Sequence, residues 1–336
     1  MSIRSVSKCS RTTLLITVAF SGTLAVPAVA QEAERPSRRE LNGHVFMPSA
    51  VVRDPFVSTF FRTTTGAGAA IGLEIPVYNL SDSLIRTVTG DIAFAQLGFE
   101  YQQVLGTWLA LRASIGGTAR LSTSVEALFA EGITAVGGGS LGATARLVQR
   151  DRWILSATVD YSTNSLTKVT PLEFAQNLAD FVREIIESGG TLPDTFPTSE
   201  LLTEASAPEL RGGLRAAYAP KPWLGFTGLV ETGWTDPFES EERDRGLFNG
   251  GATVGVDFGA MGKIPLGVLG SVSGQSKGAR GSDLASAATV FGLGLFYTGR
   301  REFSVGVEMT WGQIEQTEVN KSIDAVLARL LVRYDF

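Results

Sequence analysis

The chain has 336 residues, of which 44% are hydrophobic, so it is too apolar to remain disordered. It carries 29 basic and 34 acidic side chains, and an acidic balance without clustered Lys and Arg argues against a nucleic-acid partner. The 38 glycines and scattered aromatic residues favour a β architecture with tight turns over a helical one.

Residues 1–30 have the pattern of a cleavable signal peptide. Three basic residues precede an apolar run from Thr12 to Val26, and Ala28-Val29-Ala30 is a small-residue cleavage motif. Cleavage before Gln31 would remove three basic residues and leave 26 basic against 34 acidic, a formal charge of −8. The single cysteine, Cys9, would leave with the signal, so we expect an exported protein without disulfides or thiolate chemistry.

The segment 31–65 is polar and irregular, and we expect a periplasmic tail or a short plug that enters a barrel lumen. Alternation at Val57, Thr59, Phe61 and Thr63 leaves open an extra strand at 56–64.

From residue 66 to residue 336, apolar and polar residues alternate with the period of a β-strand. No stretch after the signal has 18 consecutive apolar residues, which excludes a helical membrane protein. The pattern predicts an all-β fold, a closed antiparallel transmembrane β-barrel of about 12 strands, with 14 as the alternative count. The predicted strands are 67–78, 92–104, 107–117, 138–149, 152–162, 208–219, 223–234, 249–259, 263–273, 286–298, 302–313 and 325–336.

The connections between these strands alternate in length, with short turns at one end and long loops at the other, as in outer-membrane barrels. Aromatic residues gather at both strand ends, which predicts two girdles at the membrane interfaces. The ring-bearing residues are Tyr101, Trp153, Tyr218, Phe258, Tyr297, Phe303 and Tyr334 near the short turns, and Tyr161, Trp234 and Trp311 near the long loops.

The last strand alternates most regularly, with apolar residues from Val326 to Tyr334 at every second position and Phe336 as its final residue. This ending resembles the carboxy-terminal β-signal of Gram-negative outer-membrane β-barrels, in which a terminal Phe follows an aromatic residue two positions earlier. The resemblance implies that Tyr334 and Phe336 are an assembly signal. It also implies that the partners are the barrel-assembly machinery and the lipids of the outer membrane.

Charged residues fall on the face opposite the apolar one, and we expect them to line a wet, narrow lumen or constriction. Glu100, Asp160 and Asp335 lie on this face too. The candidate lumen residues are Arg112, Arg146, Arg211, Arg215, Glu231, Asp257, Glu308, Arg329 and Arg333. Two interpretations remain open: facing basic and acidic walls, which resemble the eyelet of general porins, or salt bridges that stiffen the barrel.

The third long loop carries a helix signal. Thr170-Pro171-Leu172-Glu173 is a capping box with proline at the first helical position, and a shorter helix is expected at 124–131. The helix would constrict the mouth, with a lid or simple loop packing as alternatives. Its apolar stripe comprises Leu172, Phe174, Leu178, Phe181 and Ile185.

The lack of a histidine in the predicted barrel argues against an enzyme, because His44 is the only histidine and precedes the barrel. No cofactor or metal pattern is present. We expect a channel for passive uptake of small solutes, with a structural or adhesion barrel that binds a surface partner through its loops as the alternative. The sequence also bears a weaker resemblance to hydrophobic-compound transporters of the long-chain fatty acid transporter type, so both polar and apolar cargo remain possible. The oligomeric state is open as well.

Overall fold

The computed structural model describes residues 39–78, 84–122, 133–169, 202–235, 246–262, 264–277, 286–316 and 321–336. Twelve antiparallel strands form a closed barrel in which each strand pairs with the next in sequence and the last pairs with the first. The prediction of a closed antiparallel β-barrel of 12 strands is therefore confirmed. The barrel strands are β3 (Phe60–Tyr78), β4 (Leu84–Leu105), β5 (Leu109–Ser122), β6 (Ile133–Gln149), β7 (Trp153–Val169), β8 (Leu202–Lys221), β9 (Leu224–Thr235), β10 (Gly246–Asp257), β11 (Leu266–Lys277), β12 (Ser286–Tyr297), β13 (Phe303–Gln316) and β14 (Lys321–Asp335).

The first barrel strand begins earlier than the alternation predicted. β3 runs without interruption from Phe60, so Phe61 and Thr63 belong to this strand, while Val57 and Thr59 precede it and do not form an extra strand. Two short strands precede it, β1 (Glu40–Leu41) and β2 (His44–Val45), and they form a separate two-stranded sheet. The described strands thus give an even barrel count of twelve.

Side chains sort between the two faces of the wall as predicted. In β12, Phe291, Leu293 and Leu295 are about half exposed on the outside, while Gly292 and Phe296 are buried on the inside. An apolar outer surface on a closed barrel is the arrangement that a lipid bilayer requires, because every backbone group is paired within the wall. Seven of the ten predicted girdle aromatics are exposed, whereas Phe258, Tyr297 and Phe303 are partly buried.

The strands extend beyond the predicted limits at the end of the long connections. β4 begins at Leu84, where the pattern predicted 92, and β7 and β8 stay paired as far as Val169 and Leu202. The sequence there is rich in Thr and Ser and lacks the apolar alternation imposed by lipid contact, so its pairing was not visible. The short turns lie at 106–108, 150–152, 222–223, 258–265 and 298–302.

Within the described ranges, no helix is long and apolar enough to span a bilayer. The helices predicted at 124–131 and after Thr170 lie outside the described residues.

Candidate functional site

Residues 39–59, called the plug segment below, enter the barrel at its short-turn end. Asn42 Nδ2 donates to the carbonyls of Ala219 and Pro220 at 3.2 and 3.3 Å, at the end of β8. Asn42 and Gly43, with φ of 50° and 80°, form the turn between β1 and β2, and an Asn-Gly pair favours this left-handed geometry. The hairpin therefore lies against the turn that joins β8 to β9.

Apolar side chains of the plug segment pack against inward-facing residues of the wall. Leu41, Phe46 and Phe56 form one buried cluster with the wall residues Ile154 and Ala217. A second cluster joins Met47 to β11, β12 and β14 through Leu269, Phe296 and Leu331. The interior near the short turns is thus packed with side chains of the plug segment, where the sequence had predicted a water-filled lumen.

Glycines in the wall make room for this packing. A Cβ atom at Gly225 would lie 2.3 Å from the ring of His44, and one at Gly267 would lie 2.5 Å from Met47 Sδ. A Cβ at Gly255 would lie 2.9 Å from Met47 Cε. These distances are far below normal contact, so glycine at these positions of β9, β10 and β11 is what admits the plug segment.

His44 is fully buried, and its role is packing. Its ring meets Phe46 edge-on at 4.7 Å between centroids, and Nδ1 lies 3.1 Å from the carbonyl oxygen of Pro222. Nε2 has no hydrogen-bond partner among the described residues. Burial lowers the pKa of His44, because the charged imidazolium loses hydration that one carbonyl only partly replaces.

Ion pairs fasten the beginning and the end of the plug segment to the last strand. Arg39 Nε donates to Asp335 Oδ2 at 3.0 Å, and its Nη2 donates to Ser304 Oγ at 2.9 Å. Arg333 pairs with Asp335 at 2.8 Å and with Asp54 of the plug segment at 2.6 Å. Desolvation lowers the pKa of Arg39 to about 10, which still leaves it charged at neutral pH. Both guanidinium groups are therefore neutralised by carboxylates.

Asp160 on β7 is the centre of a larger charged cluster. It pairs with Arg112, with Arg215 at 2.9 Å and with Arg53 of the plug segment at 3.5 Å. Arg215 also pairs with Glu231 at 2.6 Å. The predicted basic and acidic walls are thus in direct contact at Arg215 and Glu231, as the salt-bridge interpretation expects.

Glu308 on β13 holds the middle of the plug segment. Its Oε1 accepts from Ser49 Oγ at 3.0 Å and from Ser271 Oγ at 3.1 Å, and its Oε2 accepts from the backbone N–H of Ala50 at 2.6 Å. The fully buried carboxylate is hydrogen-bonded at both oxygens, which offsets the cost of its desolvation.

A cavity of about 560 Å³ lies beyond the plug segment, towards the long connections. Its floor is formed by Ala50, Val51 and Arg53, and its walls come from β3 to β12 and from β14. Neutral polar groups and glycines make up much of the wall, so the cavity suits hydrated or polar contents. The polar wall residues include Gln96, Ser114, Ser140, Ser162, Asn249, Ser273 and Gln275.

Two of the predicted lumen arginines line this cavity. Arg211 pairs with Glu209, two residues away on β8. Arg329 donates from Nε to Gln96 Oε1 and from Nη1 to Thr310 Oγ1, both at 3.1 Å. The other predicted residues at this level, Arg112, Arg215 and Glu231, belong to the Asp160 cluster.

Two further predicted lumen residues lie near the short turns, away from the cavity. Arg146 donates to Gln149 Oε1 at 2.6 Å and to the carbonyl of Thr107. Asp257 accepts from Gly259 N–H at 2.8 Å and from Thr298 Oγ1 at 2.7 Å, which ties together two turns. Their contacts are therefore those of turn-stabilising groups.

The assembly-signal residues Tyr334 and Phe336 lie on the outer surface, with ring centroids 4.9 Å apart. Their role in assembly stays a prediction. The stripe predicted for the third-loop helix lies outside the described residues, and it comprises Leu172, Phe174, Leu178, Phe181 and Ile185.

The sequence did not identify Arg53, Arg62 or Glu209, which all line the cavity. Arg62 pairs with Glu100 and donates to the carbonyl of Ser49 at 3.1 Å. Of these three residues only Arg53 lies in the plug segment, where no regular alternation surrounds it. The Asn-Gly pair, followed by apolar residues spaced among polar ones, is the pattern that indicates a folded segment.

No family model and no curated protein matches the chain. Among solved structures, the β domain of the Bordetella autotransporter BrkA has a TM-score of 0.47 at 11% identity, covering 83% of this chain and 100% of that one. The NanC porin has a TM-score of 0.45 at 8% identity, covering 82% and 100%. The Pseudomonas putida toluene transporter TodX has a TM-score of 0.38 at 9% identity, covering 90% and 96%.

Proposed function

We propose that this protein is a channel of the Gram-negative outer membrane that lets small solutes pass passively, and that it has no enzymatic role. The cavity is the outer part of the solute path, and the plug segment is its closure at the short-turn end. Constriction by the third-loop helix remains a further prediction about residues outside the described ranges.

One observation carries this proposal: a polar cavity of about 560 Å³ inside a barrel whose outer surface is apolar. A barrel that only anchors surface loops has no need for such a space, and an eight-stranded barrel would fill its interior with side chains. Twelve strands give a wider lumen, and here a separate segment of chain occupies part of it.

The attachment of the plug segment is compatible with movement. Its two-stranded sheet is separate from the barrel sheet, so displacement breaks no ladder of backbone hydrogen bonds between them. Ion pairs, side-chain hydrogen bonds from residues such as Gln102 and Glu308, and small apolar clusters hold it instead. These contacts are mostly buried, so displacement requires that water in the lumen replaces them, whereas moving a barrel strand would also break backbone pairing of the sheet.

A reversible tether tests the proposal. A Cβ at Gly251 would lie 3.0 Å from Val52 Cγ2, which is close enough for a cysteine pair at these positions. We expect the wild-type barrel to open intermittently in a planar bilayer. Oxidised Val52→Cys/Gly251→Cys should stay closed, because the plug segment is locked, and reduction should restore the openings.

The single variant Val52→Cys is the matched control and should behave identically with and without oxidant. Absence of conductance in the wild type and in the reduced double variant would contradict the channel. That result would favour the alternative, a structural or adhesion barrel whose loops bind a surface partner.

A further inference from the structure

In two ion pairs of the cavity wall, the guanidinium group is more exposed than the carboxylate. The side chain of Arg53 is 37% exposed, while that of its partner Asp160 is 9% exposed. The side chain of Arg211 is 24% exposed, and that of Glu209 is 4% exposed. In each pair both groups line the cavity, and the guanidinium group is the more exposed of the two. A solute in the cavity therefore finds these guanidinium groups more accessible than the carboxylates beside them.

The carboxylates are also the more fully satisfied partners. Asp160 is shared by three guanidinium groups, and Glu231 accepts from Arg215 and from Asn249 Nδ2 at 3.2 Å. Each has little remaining capacity to bind a cation that enters from outside.

Arg329 is a further guanidinium group that is available to a solute in the cavity. It lines the cavity, and its hydrogen bonds go to the neutral oxygens of Gln96 and Thr310. Glu308 lies directly opposite it across β13 and β14, but the plug segment and Ser271 already occupy both of its oxygens. Arg329 therefore retains donor capacity towards the cavity.

We propose that the cavity binds a small hydroxylated monocarboxylate, and this inference rests on the proposed channel function. The planar fork of a guanidinium group matches a carboxylate and binds it with two parallel hydrogen bonds. Arg53, Arg211 and Arg329 supply such groups. Neutral hydroxyls and amides of the wall, such as Ser114 and Asn249, suit the hydroxyl groups of the same solute.

The same lining disfavours apolar cargo. An apolar solute would displace water from Arg53 and Arg211 without replacing its hydrogen bonds, and unpaired polar groups are costly to desolvate. A cationic solute would meet guanidinium groups that are more exposed than the carboxylates paired with them.

Three sugars of similar size and different charge test the inference: glucuronate, glucose and glucosamine. Binding to the refolded full chain is measured by calorimetry, and block of the single-channel current is measured in a planar bilayer. We expect glucuronate to bind about tenfold more tightly than glucose, as one charge-assisted pair predicts, and glucosamine to bind most weakly.

Arg53→Gln and Arg329→Gln should each weaken glucuronate binding about tenfold and leave glucose binding unchanged. Arg300→Gln is the control, because Arg300 is exposed in a short turn away from the cavity. Equal affinity for the three sugars, in a barrel that conducts, would overturn the anion site and leave the channel standing. Selective glucuronate binding without conductance would support the site and contradict the channel.

Discussion

Asp160 shows how a single carboxylate can join several parts of this molecule. It contacts Arg112 on β5, Arg215 on β8 and Arg53 on the plug segment, while it belongs to β7 itself. Its side chain is only 9% exposed, so the pairs are screened less than surface pairs. The residue therefore links the wall to the segment that closes the lumen.

His44 is the residue at which closure should respond to pH. Burial lowers its pKa below the ordinary value near 6.5, and the surroundings that act on it are the Pro222 carbonyl and the charge of Asp257, which oppose the shift. The folded state thus favours the neutral ring. The stability that the neutral His44 ring contributes is fully present above the ordinary pKa of histidine. It is lost as the pH falls through the lowered pKa of the folded state.

We therefore expect channel openings to become more frequent between pH 7 and pH 5, measured as open probability in a planar bilayer. His44→Gln should remove most of this dependence, because the amide does not titrate. An equal rise in open probability in the variant would assign the effect to another group.

At the scale of elements, the plug segment and the wall are complementary. Gly225 lies on the inner face of β9 against His44 and Phe46, whereas Gly228 on the same strand has only ordinary contacts. Substitutions at these two glycines therefore distinguish the effect of an added side chain on the plug segment from its effect on the strand itself.

Gly225→Val should displace the hairpin β1–β2 and raise the open probability several-fold, because even a Cβ would overlap the ring of His44. Gly228→Val, measured in the same bilayer assay, should leave the conductance close to wild type. Identical behaviour of the two variants would refute closure through this contact.

Alternation predicts the strands well where one face touches lipid and the other does not. β12, with Phe291, Leu293 and Leu295 outside, follows the expected pattern. Alternation does not predict the structure of segments that have no lipid-facing side. The apolar residues of the plug segment pack in several directions and so have no fixed period, and residues in contact, such as Phe46 and Ile154, are far apart in sequence.

The sequence predicts which charged residues face the lumen, but it does not predict which of them form ion pairs. Parity along each strand places Arg215 and Glu231 inside the barrel, because inward and outward positions alternate. Whether two inward charges touch depends on their depth in the wall, which strand register and shear determine. The sequence alone does not fix that depth, so opposed walls and direct pairs remained equally compatible with it.

At the scale of the whole molecule, the barrel closes where β14 meets β3. Phe336 donates its backbone N–H to the carbonyl of Thr59 at 3.0 Å, and its ring is 71% exposed on the outer surface. An aromatic side chain in this position adds little to the packing of the barrel itself, so we predict that its importance is for recognition during assembly.

Phe336→Ser should lower the amount of protein in the outer membrane several-fold, measured by immunoblot of membrane fractions. Thermal unfolding of the variant refolded in detergent should stay within about 0.5 kcal/mol of wild type, as for most surface substitutions. Unchanged membrane yield in cells would remove the assembly role of this residue.

The bond between Arg39 and Asp335 joins positions that are 296 residues apart. Of the three acceptors of Arg39, Asp335 and Ser304 come from the two strands that are synthesised last. Until the final hairpin has joined the sheet, Arg39 lacks two of its three acceptors. Full attachment of the plug segment therefore depends on completion of the barrel wall.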